Sequence, residues 1–319
     1  MDVTIIIISW NSQQILKKCL QHVFAQTVQP HRIIVVDNNS SDKSASIAEE
    51  FESIDVRRMA INLGFAAGNN QALDECKTEW VALLNPDAFP APNWLESLMT
   101  AATDNPDIAV FGSRQLCFDN PLIIDGIGDI YHMSGIVWRE HHRVPQQADD
   151  LIAKEIFSPC AAAALYKRQV INEMGGFDED FFCYMEDVDL GFRLRLAGYK
   201  SLYVPEAAVY HVGSATTGGH HSDFSVYHGH RNLVWTFIKN MPGALFWLLF
   251  PLHLMLNIFS IIWFSAKGQR DAIIRAKWDA LKGVPAMWRK RKEIQTNRRA
   301  SVLDIWHVLD KRVFPRRKS

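Results

Sequence analysis

The sequence predicts an α/β fold with a largely parallel sheet. Three observations carry that expectation. Short β-branched runs alternate with helix-spaced apolar segments through the first half of the chain. The loops after those runs are polar or glycine-rich, as at the carboxyl ends of parallel strands, where ligands bind. And 319 residues, 48% of them apolar, suffice for one large domain with an appendage.

In order, Val3 to Ser9 reads as a strand buried on both faces. It follows Asp2, lacks a basic leader and is too short for a signal-peptide core. Ile15, Leu16, Cys19, Leu20, Val23 and Phe24 repeat with helical spacing, and Ile33 to Val36 is a second buried run. Ser41 or Asp42 is suited to cap a helix reaching about Phe51. Arg57 to Ile61, a helix over Ala66 to Cys76, Trp80 to Leu84 and a helix over Trp94 to Ala102 continue the alternation. Residues 119–150 mix glycines and histidines without periodicity and are expected to form an irregular or mobile excursion. Phe157 to Tyr166 returns to the sheet, followed by a helix, the acidic cluster Glu186-Asp187-Val188-Asp189, a helix through Ala197, and strands around Leu202 and Val209.

Beyond residue 235 the character changes, so the expected division is a domain over 1–235 and a helical extension over 236–319. Ala244 to Ala266 is apolar and long enough to cross a bilayer, but Pro251, His253 and Asn257 interrupt it. From Lys267 to Ser319, sixteen Lys and Arg stand against five Asp and Glu, a net +11; with the whole chain at −1, residues 1–266 carry −12. A basic, tryptophan-bearing tail behind an apolar stretch points to an anionic membrane surface, and nucleic acid is not expected because its binders need no apolar anchor. A buried helical pair closing the core is the alternative. The five cysteines show no metal-ligand spacing, and their odd number argues against a disulfide framework, so a reducing cytosol is expected.

Adjacent carboxylates beside aromatic rings, as at Glu186 and Asp187 after Phe181-Phe182-Cys183-Tyr184, repel one another and lose hydration. Together with Asn85-Pro86-Asp87-Ala88 they point to metal-assisted group transfer. The ordered set Ser9-Trp10-Asn11, Val35 to Asp42, Asn62 to Asn70, Asn85 to Ala88 and Gly175 to Tyr199 resembles glycosyltransferase family 2, in particular its rhamnosyltransferase-like branch of bacterial surface polysaccharide synthesis. The resemblance covers roughly residues 1–235. It implies a GT-A fold, Rossmann-like with a mostly parallel central sheet, and an inverting, metal-dependent transfer of a sugar. The implied donor is dTDP-rhamnose, with a UDP-sugar next. The implied acceptor is a polyprenyl-diphosphate-linked saccharide, reached from the cytoplasmic face of the inner membrane by a peripheral or monotopic enzyme. A nucleotidyltransferase would want a basic first loop, and Trp10 to Gln14 has none. A non-catalytic nucleotide-sugar-binding protein would not need Asp87, Glu186 and Asp187 together.

Residue by residue, the resemblance implies that Asp37 accepts a hydrogen bond from the pyrimidine ring, although the same residue type also forms turns and caps. Ser9, Asn11 and Asn39 would add contacts to the donor. Asn62, Gly64, Gly68 and Asn69 form a glycine-bearing loop opening a helix, suited to close approach by a ligand. Asn85 and Asp87 stand where the family has its DxD motif, here with a single aspartate, so metal affinity is expected to be weak. Asp87 and His211 are the implied ligands of a divalent Mg or Mn ion. Asp187 is the implied general base, Glu186 positions acceptor or base, and Asp189 is expected to cap a helix from Leu190. Arg231, with His228 and His230 nearby, is the implied basic element at the diphosphate.

Overall fold

The computed structural model describes residues 2–213 and 222–312; of the basic tail, Arg316, Arg317 and Lys318 fall outside them. Strands β1 (Val3–Ser9), β2 (Arg32–Asp37), β3 (Ile54–Arg58) and β4 (Trp80–Leu84) run parallel in the order β4-β1-β2-β3. Every residue of β1 is buried, which is why its sequence is continuously apolar rather than alternating. Helices α1 (Leu16–Phe24), α2 (Ser44–Glu49) and α3 (Gly64–Glu75) connect these strands. β3 lies earlier than Arg57 to Ile61 because Val56 pairs with Val35, and as a half-exposed edge strand it carries little apolar signal.

After β4 come the short β5 (Ala88–Pro90), helix α4 (Trp94–Asp104) and β6 (Val110–Cys117). The excursion expected to be irregular is instead ordered, as β7 (Ile123–Gly126), β8 (Asp129–Tyr131), β9 (Val137–Arg139) and β10 (Val144–Pro145). Strands of two to four residues show no periodicity in sequence, so only their tertiary partners reveal them. Then follow β11 (Lys154–Ile156), β12 (Ala163–Lys167), α5 (Arg168–Glu173), α6 (Glu186–Leu196) and β13 (Ser201–His211). β12 enters antiparallel between β4 and β6, so the second half of the sheet is mixed. β13 runs parallel to β6 as one long strand with an irregularity between Val204 and Ala208, where two strands were expected.

Two apolar layers cover the sheet. Leu16, Leu20 and Val23 of α1 pack with Trp94 and Leu98 of α4 on one face; Ala72, Leu73, Ile171, Leu190 and Leu194 cover the other. A third core unites Phe181, Val188, Phe192 and Leu196 with residues of α7 (Asp223–Asn240), α8 (Gly243–Ala266), α9 (Arg270–Thr296) and α10 (Val302–Val308). α7 runs unbroken across residue 235, where the boundary was expected.

An ionic knot secures this union. Lys239 of α7 is 1% exposed; its Nζ lies 2.5 Å from Asp178 and 2.7 Å from Asp189. Asp189 also accepts from Arg193 (2.8 Å) and Asn240 (2.7 Å). It is therefore not the expected cap: α6 already begins at Glu186, and Asp189 is a buried counter-ion within its first turn.

α8 is long and apolar enough to cross a membrane, yet its polar interruptions face the protein. His253 Nδ1 pairs with the Ser134 carbonyl at 2.8 Å, and its ring stacks on Phe237. Asn257 accepts from Lys277 at 2.6 Å. The opposite side, including Trp247, Leu248, Met255, Ile258 and Ile262, is 51–68% exposed. Trp278 and Leu281 of α9 are exposed as well, and Lys267 and Lys282 sit over the rings of Trp263 and Trp278 at 4.8 and 5.5 Å.

Breaking one partner of a buried ionic knot leaves charge uncompensated. Lys239→Ala should destabilise the fold by about 3 kcal/mol, the low end for such sites because Arg193 still faces Asp189; urea unfolding of variant and parent measures it.

Candidate active site

The parallel register places Ser9 beside Asp37 at the carboxyl ends of β1 and β2. Both are buried, and Ser9 Oγ and Asp37 Oδ1 have no hydrogen-bond partner in the protein. The second Asp37 oxygen accepts from the Ser40 amide at 3.2 Å, which aims the carboxylate. Orphaned polar atoms at this edge are the signature of a site that a ligand's donors complete. Asn39 takes φ 61° in the adjoining turn and is exposed.

Several residues expected at the ligand also build this edge. Asn11 (φ 48°) accepts from the Ser41 amide at 2.8 Å and clips the first loop to the second. Asn62 accepts from the Gly64 amide at 2.8 Å. Gly64 (φ +82°) is required by a protein contact, since a Cβ there would lie 2.5 Å from the Phe182 ring and carbonyl. Gly68 also serves packing: a Cβ there would meet Ile8 of β1 at 3.2 Å, so the small residue lets α3 lie close to the sheet. The Asn69 side chain bonds back to the Phe65 carbonyl at 2.9 Å inside α3. Asn38, not singled out in sequence, holds the loop by donating to the Gly64 carbonyl (3.0 Å) and accepting from the Leu63 amide (2.9 Å).

In the middle of the edge, the β5–β13 pairing brings Asp87 to His211: Ala88 is in register with His211, and the Val212 amide donates to the Asp87 carbonyl at 3.0 Å. His211 Nε2 lies 3.4 Å from Asp87 Oδ1, while Nδ1 is bound by Asp125 at 2.7 Å. Arg139 donates to the same Asp125 oxygen at 2.6 Å. Burial would lower the His211 pKa, but Asp125 and Asp87 outweigh it and raise it to about 9. Burial would raise Asp125, but His211 and Arg139 hold it well below the usual carboxylate range. A histidine oriented by a carboxylate on its far nitrogen is the arrangement found behind metal-binding imidazoles. Among the described residues no group of three or more His, Cys, Asp or Glu forms a complete metal cage. The fit is thus to a divalent cation that takes one carboxylate and one imidazole from the protein and most of its oxygens from a bound ligand.

The third part is acidic. The N-terminus of α6 presents Asp187, whose oxygens accept from the Ala161 amide (3.1 Å) and the Val188 amide (2.8 Å). Burial raises its pKa, and those amides pull it back. Glu186, 6% exposed with one oxygen unpartnered, is pushed well above its ordinary value by burial and by Asp187. Asp129, contributed by the excursion and missed in sequence, is raised by burial and Asp187 to about 8. Of the three, Asp187 accepts two amide hydrogen bonds that favour its ionised form.

These parts meet across one short loop. The Asn85 amide donates to the Ala162 carbonyl at 2.8 Å, and the neighbouring Ala161 amide binds Asp187. Asp87 and Asp187 are thereby brought to the same edge. Arg231 donates to the carbonyls of Asp180 (3.0 Å) and Phe181 (2.9 Å) and stacks on Trp235. His228 and His230 are neutral, lowered to about 4 and about 3, first by burial and then by Arg231 and Lys277 respectively.

The family model described as "Glycosyl transferase family 2" matches residues 4–175. The chain is 26% identical over 258 residues to N-acetylglucosaminyl-diphospho-decaprenol L-rhamnosyltransferase of Mycobacterium tuberculosis, covering 69% of this chain and 81% of that one. It is 28% identical over 216 residues to the O-antigen chain rhamnosyltransferase RfbN of Salmonella typhimurium, covering 66% of each. Among solved structures, GalNAc-T7 with UDP, GalNAc and Mn2+ aligns with TM-score 0.60 at 16% identity over 74% of this chain and 47% of that one. The mannosyltransferase PcManGT from Pyrobaculum calidifontis, in complex with GDP-Man and Mn2+, aligns with TM-score 0.57 at 16% identity over 96% and 87%. The two structural likenesses establish the GT-A-like architecture.

Because Ser9 Oγ and Asp37 Oδ1 bond to nothing in the protein, Ser9→Ala and Asp37→Asn should change unfolding free energy by less than about 1 kcal/mol. Denaturant titration measures this, and a larger loss would assign these atoms to the scaffold.

Proposed function

The chain belongs to glycosyl transferase family 2 and is a glycosyltransferase, and on that footing we propose that it is an inverting, metal-dependent enzyme moving rhamnose from dTDP-rhamnose to a polyprenyl-diphosphate-linked saccharide. The observation carrying this reading is the meeting of Asp87 and Asp187 around Ala161 and Ala162. The names of the mycobacterial and Salmonella relatives support the sugar and the lipid-linked acceptor. A UDP-sugar donor is the second reading, since an orphaned carboxylate at Asp37 suits the imide N–H of uracil as well as thymine.

In the proposed reaction Ser9 and Asp37 receive the base. Asp87 and His211 would hold a Mg or Mn ion, which when bound supplies positive charge to the departing diphosphate. The acceptor hydroxyl oxygen bonds to the anomeric carbon from the face opposite the diphosphate, and its proton passes to Asp187. The bond from that carbon to the diphosphate oxygen breaks, the nucleotide leaves with the electron pair, and configuration inverts. Burial of Glu186 and Asp129 favours their neutral forms, which spares the base two further negative charges.

The exposed face of α8 and α9, with lysines over its tryptophans, supports seating on an anionic membrane from the cytoplasmic side as a monotopic enzyme. Because α8 to α10 complete the third core, deletion from Ala244 onward would remove folding energy as well as an anchor. Point changes are the cleaner probe. Leu248→Glu with Ile258→Glu should abolish sedimentation with anionic vesicles while leaving transfer to a water-soluble acceptor analogue intact; unchanged sedimentation would reject the surface.

The reaction itself is tested by Mn-dependent release of free nucleotide from a panel of nucleotide sugars, with and without a polyprenyl-diphosphate-linked acceptor. Asp187→Asn should lower kcat by about 10²–10⁴ with donor KM little changed. Asp87→Ala should weaken donor and metal together. Since the base works deprotonated and burial raises its pKa, kcat/KM should fall as pH drops through an apparent pKa above the ordinary carboxylate range; a profile flat down to pH 4 would contradict the assignment.

A further inference from the structure

The loop that delivers the catalytic carboxylates is held in a conformation its residues do not favour. Phe182 (φ 65°, ψ −66°) sits at the centre of a three-residue γ-turn of the strained, positive-φ kind, closed by the Cys183 amide on the Phe181 carbonyl at 2.8 Å. Tyr184 and Met185 follow at φ 63° and 70°. None is glycine, and such torsions persist only where surrounding structure over-determines them. Met185 immediately precedes Glu186 and Asp187, so these torsions set the direction in which α6 starts and where its carboxylates point.

Three of the loop carbonyls are held by one side chain on α7, beside an Ala66 amide that donates to the Phe182 carbonyl at 3.1 Å. Asn232 is fully buried, and its Nδ2 lies 2.9, 2.9 and 2.7 Å from the carbonyl oxygens of Phe181, Cys183 and Tyr184. The amide has two hydrogens, which the three acceptors share. Its Oδ1 accepts from Arg231 Nε at 2.9 Å, which fixes the amide orientation. Arg231 in turn donates to the carbonyls of Asp180 and Phe181. The loop carbonyls converge on a donor that no carboxylate or apolar side chain could replace.

We propose that Asn232 is a positioning residue for glycosyl transfer: it touches no substrate and acts by clamping residues 181–185 so that Asp187 faces the acceptor hydroxyl. The proposal rests on the reading of Asp187 as base, given above.

The test uses the full chain and two variants. Asn232→Asp is isosteric but sets an oxygen against the loop carbonyls; Asn232→Gln keeps the donors one methylene further out. N232D should lose about 10²-fold in kcat, the size of effect produced by a displacement of about 1 Å at a reacting centre. Donor KM should stay within about threefold, because the nucleotide edge is built from other strands. N232Q should recover about tenfold of that loss. Independently of activity, hydrogen–deuterium exchange should accelerate in N232D over residues 180–190 and be unchanged elsewhere. Native kcat in N232D, or native exchange over that segment, would overturn the clamp. Should N232D unfold globally, N232Q is read alone: a kcat loss with donor KM retained supports the clamp, and native kcat overturns it. If the parent protein transfers no sugar, the functional reading fails, while the exchange result still decides whether Asn232 restrains the loop.

Discussion

The site depends on a single crossing of the chain. At residues 161 and 162 one amide is taken by the Asp187 carboxylate and the next carbonyl by the Asn85 amide. Without that crossing, the Asp87 arm belongs to the parallel half of the sheet and the Asp187 arm to a helix on the far side of β12. β12 enters antiparallel between β4 and β6, and this reversal puts the loop before it at the same edge as the loop after β4. The mixed sheet is thus the reason two motifs a hundred residues apart reach the same edge.

Electrostatics at that edge are divided. Around His211, cation and carboxylates alternate as Arg139, Asp125, His211 and Asp87, so each charge has a partner. Around Asp187 no cation bonds the carboxyls directly, and burial together with their mutual repulsion pushes Glu186 and Asp129 upward. Arg139 spans the two regions, bonding Asp125 while its field lowers Asp129 and Asp187. Gly126 makes room for it, since a Cβ there would lie 2.3 Å from the Arg139 side chain.

Much of this was legible in the residues. The strands of the parallel half announce themselves as unbroken apolar runs, and Asp37, Asp87, His211, Glu186 and Asp187 stand at strand ends or a helix start, where side chains meet ligands. What was illegible has a common physical cause: it depends on partners distant in sequence. The strands of residues 123–145 are too short to carry a period, so Asp125, Asp129 and Arg139 went unnoticed. The packing of Gly68 on Ile8 and the bond from Asn69 to Phe65 leave no separate mark in a glycine- and asparagine-bearing loop. Nor does the bond from Arg231 to a carbonyl fifty residues away. Asp189 read as a cap because α6 starts four residues earlier than the apolar pattern suggests.

The pin between His253 and the Ser134 carbonyl joins α8 to the β8–β9 hairpin, whose first residue, Asp129, lies in the acidic cluster. Through that pin and the third core, whatever the outer face of α8 rests on is tied mechanically to the carboxyl groups at the start of α6.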